Sequence, residues 1–203
     1  RFEYFQEGGG AAASFTWKRK NETRDLFIEH LNKADMIVAC FGHSSDSEAE
    51  GGDRSFFLPE ADSQLITRIA KCKKPIIGVV NAGGNIGMQS WEPSLKGLLW
   101  GWYAGQEGGH AIADVLFGKV NPSGKLPMTF EKKWEDNPAY NSYHDPDGDK
   151  HVKYTEGIYI GYRGYDKLGR DVQYPFGYGL SYTSFKLSDM VASAPNADGT
   201  VKV

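Results

Sequence analysis

Three short apolar runs, separated by segments of helical periodicity, are the feature of this sequence that most restricts its fold. The runs are typical of strands buried on both faces and comprise residues 36–41, 75–80 and 97–103. The segments with apolar side chains on one helical face comprise residues 21–34, 59–70 and 107–118. This alternation predicts an α/β fold: a three-layer αβα sandwich around a mostly parallel, doubly wound sheet of flavodoxin-like or Rossmann-like topology.

The loops that follow the apolar runs are the places where a ligand is expected. In a doubly wound sheet the carboxyl ends of the strands meet at one edge, and ligands bind in the crevices beyond it. The loops after Phe41, Val80 and Tyr103 are therefore the first candidates for a site. Residues 131–157, rich in Asp, Asn, Pro and Tyr, are predicted to form long irregular loops, which in a compact domain are often functional.

Composition and charge exclude several classes of protein. The 23 basic and 26 acidic side chains leave a net charge of −3, which argues against a nucleic-acid partner. No apolar run approaches the roughly 20 residues of a membrane-spanning helix. Two cysteines outside any CxxC pair form neither a disulfide framework nor a zinc module. We therefore expect no nucleic-acid partner, no membrane insertion, no metal and no cofactor.

The two ends of the sequence suggest a piece of a longer polypeptide. The sequence begins with Arg1 rather than methionine, and its first residues do not resemble a signal peptide. We expect residues 1–185 to form the αβα domain. Residues 186–203 are interpreted as a linker or as the start of a further domain that is cut short.

Two weaker patterns are better explained without a ligand. Glycines within residues 83–87 follow a strand but lack the G-x-G-x-x-G order, so a flavodoxin-like nucleotide binder is an alternative with little support. Acidic side chains also occur at the spacing of a calcium-binding loop, namely Asp145, Asp147, Asp149 and Glu156. Lys150 stands where such a loop needs glycine, which favours a solvated acidic loop instead.

The loop after the first apolar run carries the strongest chemical signal. Carboxylates crowd residues 46–54, and two glycines and one arginine lie among them. Mutual repulsion and partial burial raise the pKa of one member of such a cluster, as a general acid near neutral pH requires. Arg54 is expected to pair with Asp53 and so brace the loop. A solvated acidic turn is the alternative on charge pattern alone.

Five motifs in one order resemble the C-terminal α/β sandwich domain of glycoside hydrolase family 3. Together they cover nearly everything from residue 34 to residue 185. The motifs are 48–54 (EAEGGDR), 102–109 (WYAGQEGG), 121–127 (NPSGKLP), 154–166 (YTEGIYIGYRGYD) and 174–183 (YPFGYGLSYT).

The resemblance implies a function and a set of roles. Members of this family are retaining, exo-acting β-glycosidases, typified by β-glucosidases, in which a barrel domain supplies an aspartate nucleophile and the sandwich supplies a glutamate acid/base. By position in the motif Glu50 is the acid/base, and Glu48 is the second choice. Asp53 and Arg54 are loop supports, whereas Glu107 is interpreted as an acid at the positive end of a helix dipole.

The resemblance also implies partners and a location. The substrate is a β-linked oligosaccharide or glycoside, and the first partner is an N-terminal barrel domain of the same polypeptide. A fibronectin-like domain often follows in the family, in agreement with the interpretation of residues 186–203. We expect an extracytoplasmic enzyme of a bacterium. The alternative from another class is a non-catalytic carbohydrate-binding or scaffold module of the same fold.

Overall fold

A three-stranded parallel sheet forms the centre of the structure, a computed structural model that describes residues 29, 31–145 and 148–202. The strands are β1 (Ile37–Gly42), β2 (Ile76–Asn81) and β3 (Gly97–Trp100), and they lie side by side in the order β1-β2-β3. Ile37 pairs with Ile76, and Ile77 pairs with Gly97. All three predicted strands are confirmed, although the third ends at Trp100 and not at Tyr103.

Two helices flank this sheet where the sequence predicts them. Helix α1 (Glu60–Ala70) connects β1 to β2, and α2 (Gly108–Leu116) follows β3. Helix α1 begins after Pro59 and carries Glu60 and Asp62 in its first turn, where acidic groups complement the helix dipole. Most of the helix predicted over residues 21–34 lies outside the described residues.

The core lies on the face of the sheet that packs against α1. Alternate residues of β1 are buried there because successive side chains of a strand point to opposite faces. Helix α1 contributes its inward stripe to the same core, and the aromatic ring of Phe41 meets Trp91 edge to face at 5.1 Å. The buried residues of these two elements are Ile37, Ala39, Phe41, Leu65, Ile66 and Ile69.

A second, smaller layer holds elements that the sequence did not predict. Strand β4 (Phe130–Glu131) pairs antiparallel with β5 (Val172–Tyr174), and α3 (Tyr162–Leu168) lies between them in the chain. Phe130 is 1% exposed, and its ring centroid lies 4.6 Å from that of Trp100. Contact with Trp100 fastens this layer to β3. Between β4 and α3 in the chain, the described part of residues 132–157 contains only one short 3₁₀ helix (Trp134–Asp136), so the prediction of irregular loops holds for most of that stretch.

The carboxyl ends of the three parallel strands meet at one edge. Gly42, Asn81 and Trp100 end their strands there, so the loops that follow them are neighbours in space. Gly42 has a φ of +152°, and its backbone N–H donates a hydrogen bond to the Asp62 carboxylate at 3.1 Å. The acidic loop therefore leaves β1 through a backbone conformation that favours glycine.

Residues 183–202 form no helix or strand. Almost all of their side chains are exposed, among them those of Leu187 and Met190. The boundary at residue 185 therefore stays a prediction.

Candidate active site

Glu48 is held at the carboxyl edge of the sheet by groups from three loops. Its Oε2 atom accepts a hydrogen bond from the Tyr103 hydroxyl at 2.5 Å and another from the Gly83 backbone N–H at 3.4 Å. Its Oε1 atom lies 3.4 Å from Nε of Arg54. Tyr103 and Gly83 follow β3 and β2 respectively, so Glu48 ties the loop after β1 to both neighbouring loops.

Arg54 fixes the far end of the acidic loop. Its Nη2 atom donates to the backbone carbonyl of Asn85 at 2.6 Å, and its Nη1 atom donates to the carbonyl of Ser55 at 3.1 Å. The side chains of Arg54 and Glu48 are only 19% and 23% exposed, so water screens their ion pair less than it would a surface pair.

The expected pairing of Arg54 with Asp53 is wrong. The guanidinium group turns to the sheet edge because Glu48 and two carbonyls satisfy more of its five donors than Asp53 alone would. Asp53 instead accepts a hydrogen bond from the Tyr143 hydroxyl at 3.1 Å, and this bond raises the pKa of Tyr143. Asp53 and Arg54 thus contact different parts of the molecule.

Two glycines make the close approach of Glu48 and Arg54 possible. A Cβ atom at Gly83 would lie 2.5 Å from Oε1 of Glu48, and one at Gly84 would lie 2.8 Å from Nη2 of Arg54. Both distances are far below van der Waals contact, so any larger residue would displace the ion pair. The small residues after β2 therefore accommodate the acidic loop.

Tyr103 is a permanent hydrogen-bond donor to Glu48. Partial burial, the hydrogen bond to Glu48 and the negative charge of that carboxylate together raise the pKa of Tyr103 to about 12. The phenol consequently keeps its proton throughout the neutral range. Tyr103 follows Trp102, whose φ of +51° turns the chain sharply after β3.

Glu50 differs from Glu48 in being open to solvent. It begins a turn with Gly51, whose φ is +77°, two residues beyond the anchored Glu48. Among the residues that the structure describes, none forms a hydrogen bond or ion pair with the Glu50 carboxylate. The structure therefore presents Glu50 on a loop whose preceding and following residues are held in place.

Glu107 lies at the N-cap of α2, at the positive end of the helix dipole, as its position in the sequence predicts. Its carboxylate lies 2.7 Å from Nδ1 of His110 and makes no side-chain hydrogen bond to the helix backbone. Both side chains are largely exposed. Glu107 belongs to the helix terminus and does not join the Glu48 network.

His43 is a buried histidine directly after β1. It is 7% exposed, and its Nδ1 atom lies 3.1 Å from Oγ of Ser47. Burial and the positive charge of Arg54 lower the pKa of His43 below its ordinary value of 6.5, against an opposing effect of Glu48. The folded chain therefore holds this imidazole neutral.

The neutral state of His43 predicts a loss of stability in acid. Because the unfolded chain takes up the proton near pH 6.5 and the folded chain only at lower pH, the free energy of unfolding falls as pH drops below that value. The limiting slope is about 1.4 kcal/mol per pH unit. Urea unfolding at pH 8 and pH 5.5 measures it. A His43→Asn variant should lose this part of the pH dependence of the free energy of unfolding. A His110→Asn variant, which changes an exposed histidine, should keep it. Equal pH dependence in the two variants would contradict the assignment to His43.

The described residues show no metal centre and no membrane span. No three His, Cys, Asp or Glu side chains in this part of the chain come together to hold a metal ion. Asp145 accepts hydrogen bonds from the backbone N–H groups of Gly148 and Lys150, as in a closed turn, and Asp147 lies outside the described residues. No helix of the described part is long and apolar enough to cross a membrane.

Three residues of this site were not identified individually from the sequence. Gly83 and His43 follow predicted strands and Tyr103 was predicted to end one, so their places near the sheet edge were expected but their contacts were not. Only the sheet topology brings Tyr103 to Glu48, because 55 positions separate them in the chain.

The sequence is similar to those of known β-glucosidases. It is 43% identical over 176 residues to a probable β-glucosidase K of Emericella nidulans, covering 86% of this chain and 21% of that protein. It is 44% identical over 168 residues to a probable β-glucosidase H of Aspergillus flavus, covering 82% of this chain and 20% of that protein. The chain spans about a fifth of the length of these curated relatives.

Solved structures of β-glucosidases share the fold. The β-glucosidase 3B of Thermotoga neapolitana, solved in complex with glucose, superimposes with a TM-score of 0.75 at 37% identity, over 85% of this chain and 25% of that one. A family 3 β-glucosidase of Bifidobacterium adolescentis superimposes with a TM-score of 0.78 at 36% identity, over 91% of this chain and 28% of that one. These matches confirm the predicted α/β sandwich.

The expectation of a bacterial enzyme is wrong. The curated relatives at 41–44% identity come from the fungal genera Emericella, Neosartorya and Aspergillus. The β-glucosidases of Thermotoga neapolitana and Bifidobacterium adolescentis are also 36–37% identical to this chain, so a resemblance to the family does not by itself indicate the source. A sequence model described as the glycosyl hydrolase family 3 C-terminal domain matches residues 7–162, and this chain accordingly belongs to glycoside hydrolase family 3 as its C-terminal domain.

Proposed function

We propose that this domain is part of a retaining, exo-acting β-glucosidase and supplies the general acid/base, Glu50, to a shared active site. The partner is an N-terminal barrel domain of the same polypeptide, which carries the nucleophile, and the substrate is a β-linked glucoside. Relatives named as β-glucosidases over nearly the whole chain support this proposal. Residues 186–203 would be a linker or the start of a fibronectin-like domain.

The exposure of Glu50 on a braced loop carries the assignment. A retaining glycosidase needs two carboxyl groups about 5–5.5 Å apart across the scissile bond. An acid/base that meets a nucleophile on another domain has to project from its own domain and still keep a defined position. Glu50 meets both requirements, because it is exposed while Glu48 and Arg54, on either side of it, are tied to the sheet edge.

Glu50 would have two tasks in one catalytic cycle. In the first step its carboxyl group gives a proton to the glycosidic oxygen as the nucleophile attacks the anomeric carbon and forms a glycosyl-enzyme intermediate. In the second step the Glu50 carboxylate takes a proton from the water molecule that attacks this intermediate, and glucose is released. The protonated form of Glu50 is thereby restored.

Glu48 is less suited to the same role. Both of its oxygens are occupied, Oε2 by the Tyr103 hydroxyl and the Gly83 N–H, and Oε1 by Arg54. A proton donor has to direct its own O–H group at the substrate oxygen, which Glu48 could do only after giving up these partners.

Chemical rescue distinguishes the two glutamates. In the full-length polypeptide that carries this domain, Glu50→Ala should reduce kcat for an alkyl β-glucoside by at least about 100-fold, because its poor leaving group needs the proton. With 2,4-dinitrophenyl β-glucoside, whose leaving group needs no proton, added azide should restore turnover by attacking the intermediate and should give glucosyl azide as product.

The parallel variant Glu48→Ala should give no glucosyl azide. Rescue of Glu48→Ala in place of Glu50→Ala would move the acid/base to Glu48. Full activity of both variants on the alkyl glucoside would instead show that the domain is a non-catalytic module.

A further inference from the structure

One carboxylate joins all three loops at the carboxyl edge of the sheet. Glu48 comes from the loop after β1 and accepts hydrogen bonds from Gly83 after β2 and from Tyr103 after β3. Arg54, at the end of the same loop, closes the arrangement with an ion pair to Oε1 and a hydrogen bond to the carbonyl of Asn85. We call Glu48, Arg54, Gly83 and Tyr103 the loop clamp.

The side chains of the loop clamp pack directly against the backbone of residues 83 and 84. The two glycines after β2 lie so close to Glu48 and Arg54 that a single added methyl group would displace them. The loop is tied again at its start, where Ser44 accepts a hydrogen bond from the Glu48 backbone N–H through its carbonyl at 2.8 Å. Side chain and backbone of Glu48 are therefore both fixed.

We propose that Glu48 and Tyr103 are positioning residues of the acid/base loop. This inference rests on the proposed role of Glu50. It assigns Glu48 to holding Glu50 in place and not to proton transfer. Tyr103, on the loop after β3 and within the motif of residues 102–109, becomes a part of the catalytic loop's support, a role that the motif alone does not assign.

The chain contains a matched pair of residues for the controls. The Tyr174 hydroxyl donates to Oε1 of Glu92 at 2.8 Å, which is the same chemistry as Tyr103 and Glu48 at a place outside the acidic loop. Burial likewise raises the pKa of Tyr174. Glu92→Gln and Tyr174→Phe therefore repeat the chemical change of Glu48→Gln and Tyr103→Phe without touching the loop clamp.

Four variants of the full-length polypeptide test the proposal: Glu48→Gln, Tyr103→Phe, Glu92→Gln and Tyr174→Phe. The measurement is kcat/KM on an alkyl and on a dinitrophenyl β-glucoside. A loop that is less firmly held should slow the alkyl glucoside more, because only its leaving group needs a proton from Glu50. Glu48→Gln and Tyr103→Phe should therefore both lower the ratio of the alkyl to the dinitrophenyl value.

If Tyr103 positions the acid/base loop, the effect of Tyr103→Phe on kcat/KM should depend on the leaving group of the substrate. With its loop less firmly held, kcat/KM for the alkyl glucoside should fall at least about fivefold more than that for the dinitrophenyl glucoside, which needs no proton. The two control variants should leave this ratio unchanged. Because Tyr103→Phe removes a single oxygen atom, it tests the proposal even where Glu48→Gln fails to fold.

Either of two results would overturn the inference: a Glu48→Gln variant that behaves like Glu92→Gln, or a Tyr103→Phe variant that behaves like Tyr174→Phe. Azide rescue separates this failure from failure of the proposed function. If Glu50→Ala is rescued but the ratio falls in neither Glu48→Gln nor Tyr103→Phe, only the clamp is rejected. If Glu50→Ala is not rescued, the proposed function fails as well.

Discussion

The 203-residue chain on its own is expected to fold and yet to hydrolyse 4-nitrophenyl β-glucoside no faster than buffer does. The proposed mechanism divides two carboxyl groups between two domains, and this chain supplies only one of them. A single general acid contributes about 10²–10⁴-fold, and only with the substrate held in place. The full-length polypeptide should be faster by about 10⁶-fold or more, which is the lower end of typical enzymatic acceleration.

The measurement compares the isolated chain with the full-length polypeptide at equal concentration. Circular dichroism and a cooperative thermal transition first establish that the chain is folded. Full-length Glu50→Ala serves as the control for a site that is complete except for its acid. Turnover by the isolated chain that disappears in its Glu50→Ala variant would show that this domain contains a whole active site, and the division between domains would be wrong.

The parallel sheet could be predicted because its signal is local. Strands β1 (IVACFG) and β2 (IIGVVN) are apolar up to their last residues, Gly42 and Asn81, as is typical of strands buried on both faces. Helix α1 begins after Pro59, which cannot sit inside a helix but fits its start. Each of these features is visible within about ten residues of sequence, so no tertiary information was needed.

The second layer could not be predicted because its signal is not local. Strand β4 has two residues and β5 has three, and their pairing of Phe130 with Tyr174 spans 44 positions of the chain. Neither strand is long enough to show alternation. Helix α3 has seven residues, and only Gly169, left-handed at its C-cap with a φ of +61°, marked its end.

The candidate site was predicted as a loop but not as a network. Charge crowding identified the acidic loop, and the family motif singled out Glu50 and Glu48 within it. Charge alone then paired Arg54 with its neighbour Asp53, whereas the folded chain offers Arg54 a carboxylate and two carbonyls at the sheet edge. Whether Arg54 pairs with its neighbour in the chain or with groups that the fold brings close depends on geometry that cannot be read from the sequence.

Replacing Gly42 by alanine is expected to have the largest effect on stability. A Cβ atom there would overlap the backbone carbonyl of Asn81, the residue opposite Gly42 in the parallel ladder. The φ of +152° adds strain for any residue with a side chain. Strain and overpacking together amount to about 2–6 kcal/mol, a large part of the roughly 5–15 kcal/mol that stabilises a typical domain.

Alanine substitutions at two other glycines separate the contribution of the unfavourable φ from that of the steric overlap. Gly105 also has a positive φ, +72°, but nothing lies within 4 Å of the place that an added Cβ atom would occupy, so Gly105→Ala should cost only about 1–2 kcal/mol. Gly109 in α2 has neither restriction, and Gly109→Ala should leave stability unchanged or raise it by up to about 1 kcal/mol. Urea unfolding of the three variants gives the order directly. A Gly42→Ala variant as stable as Gly105→Ala would mean that β1 and β2 can separate at their carboxyl ends, and the acidic loop would then have no fixed point of departure.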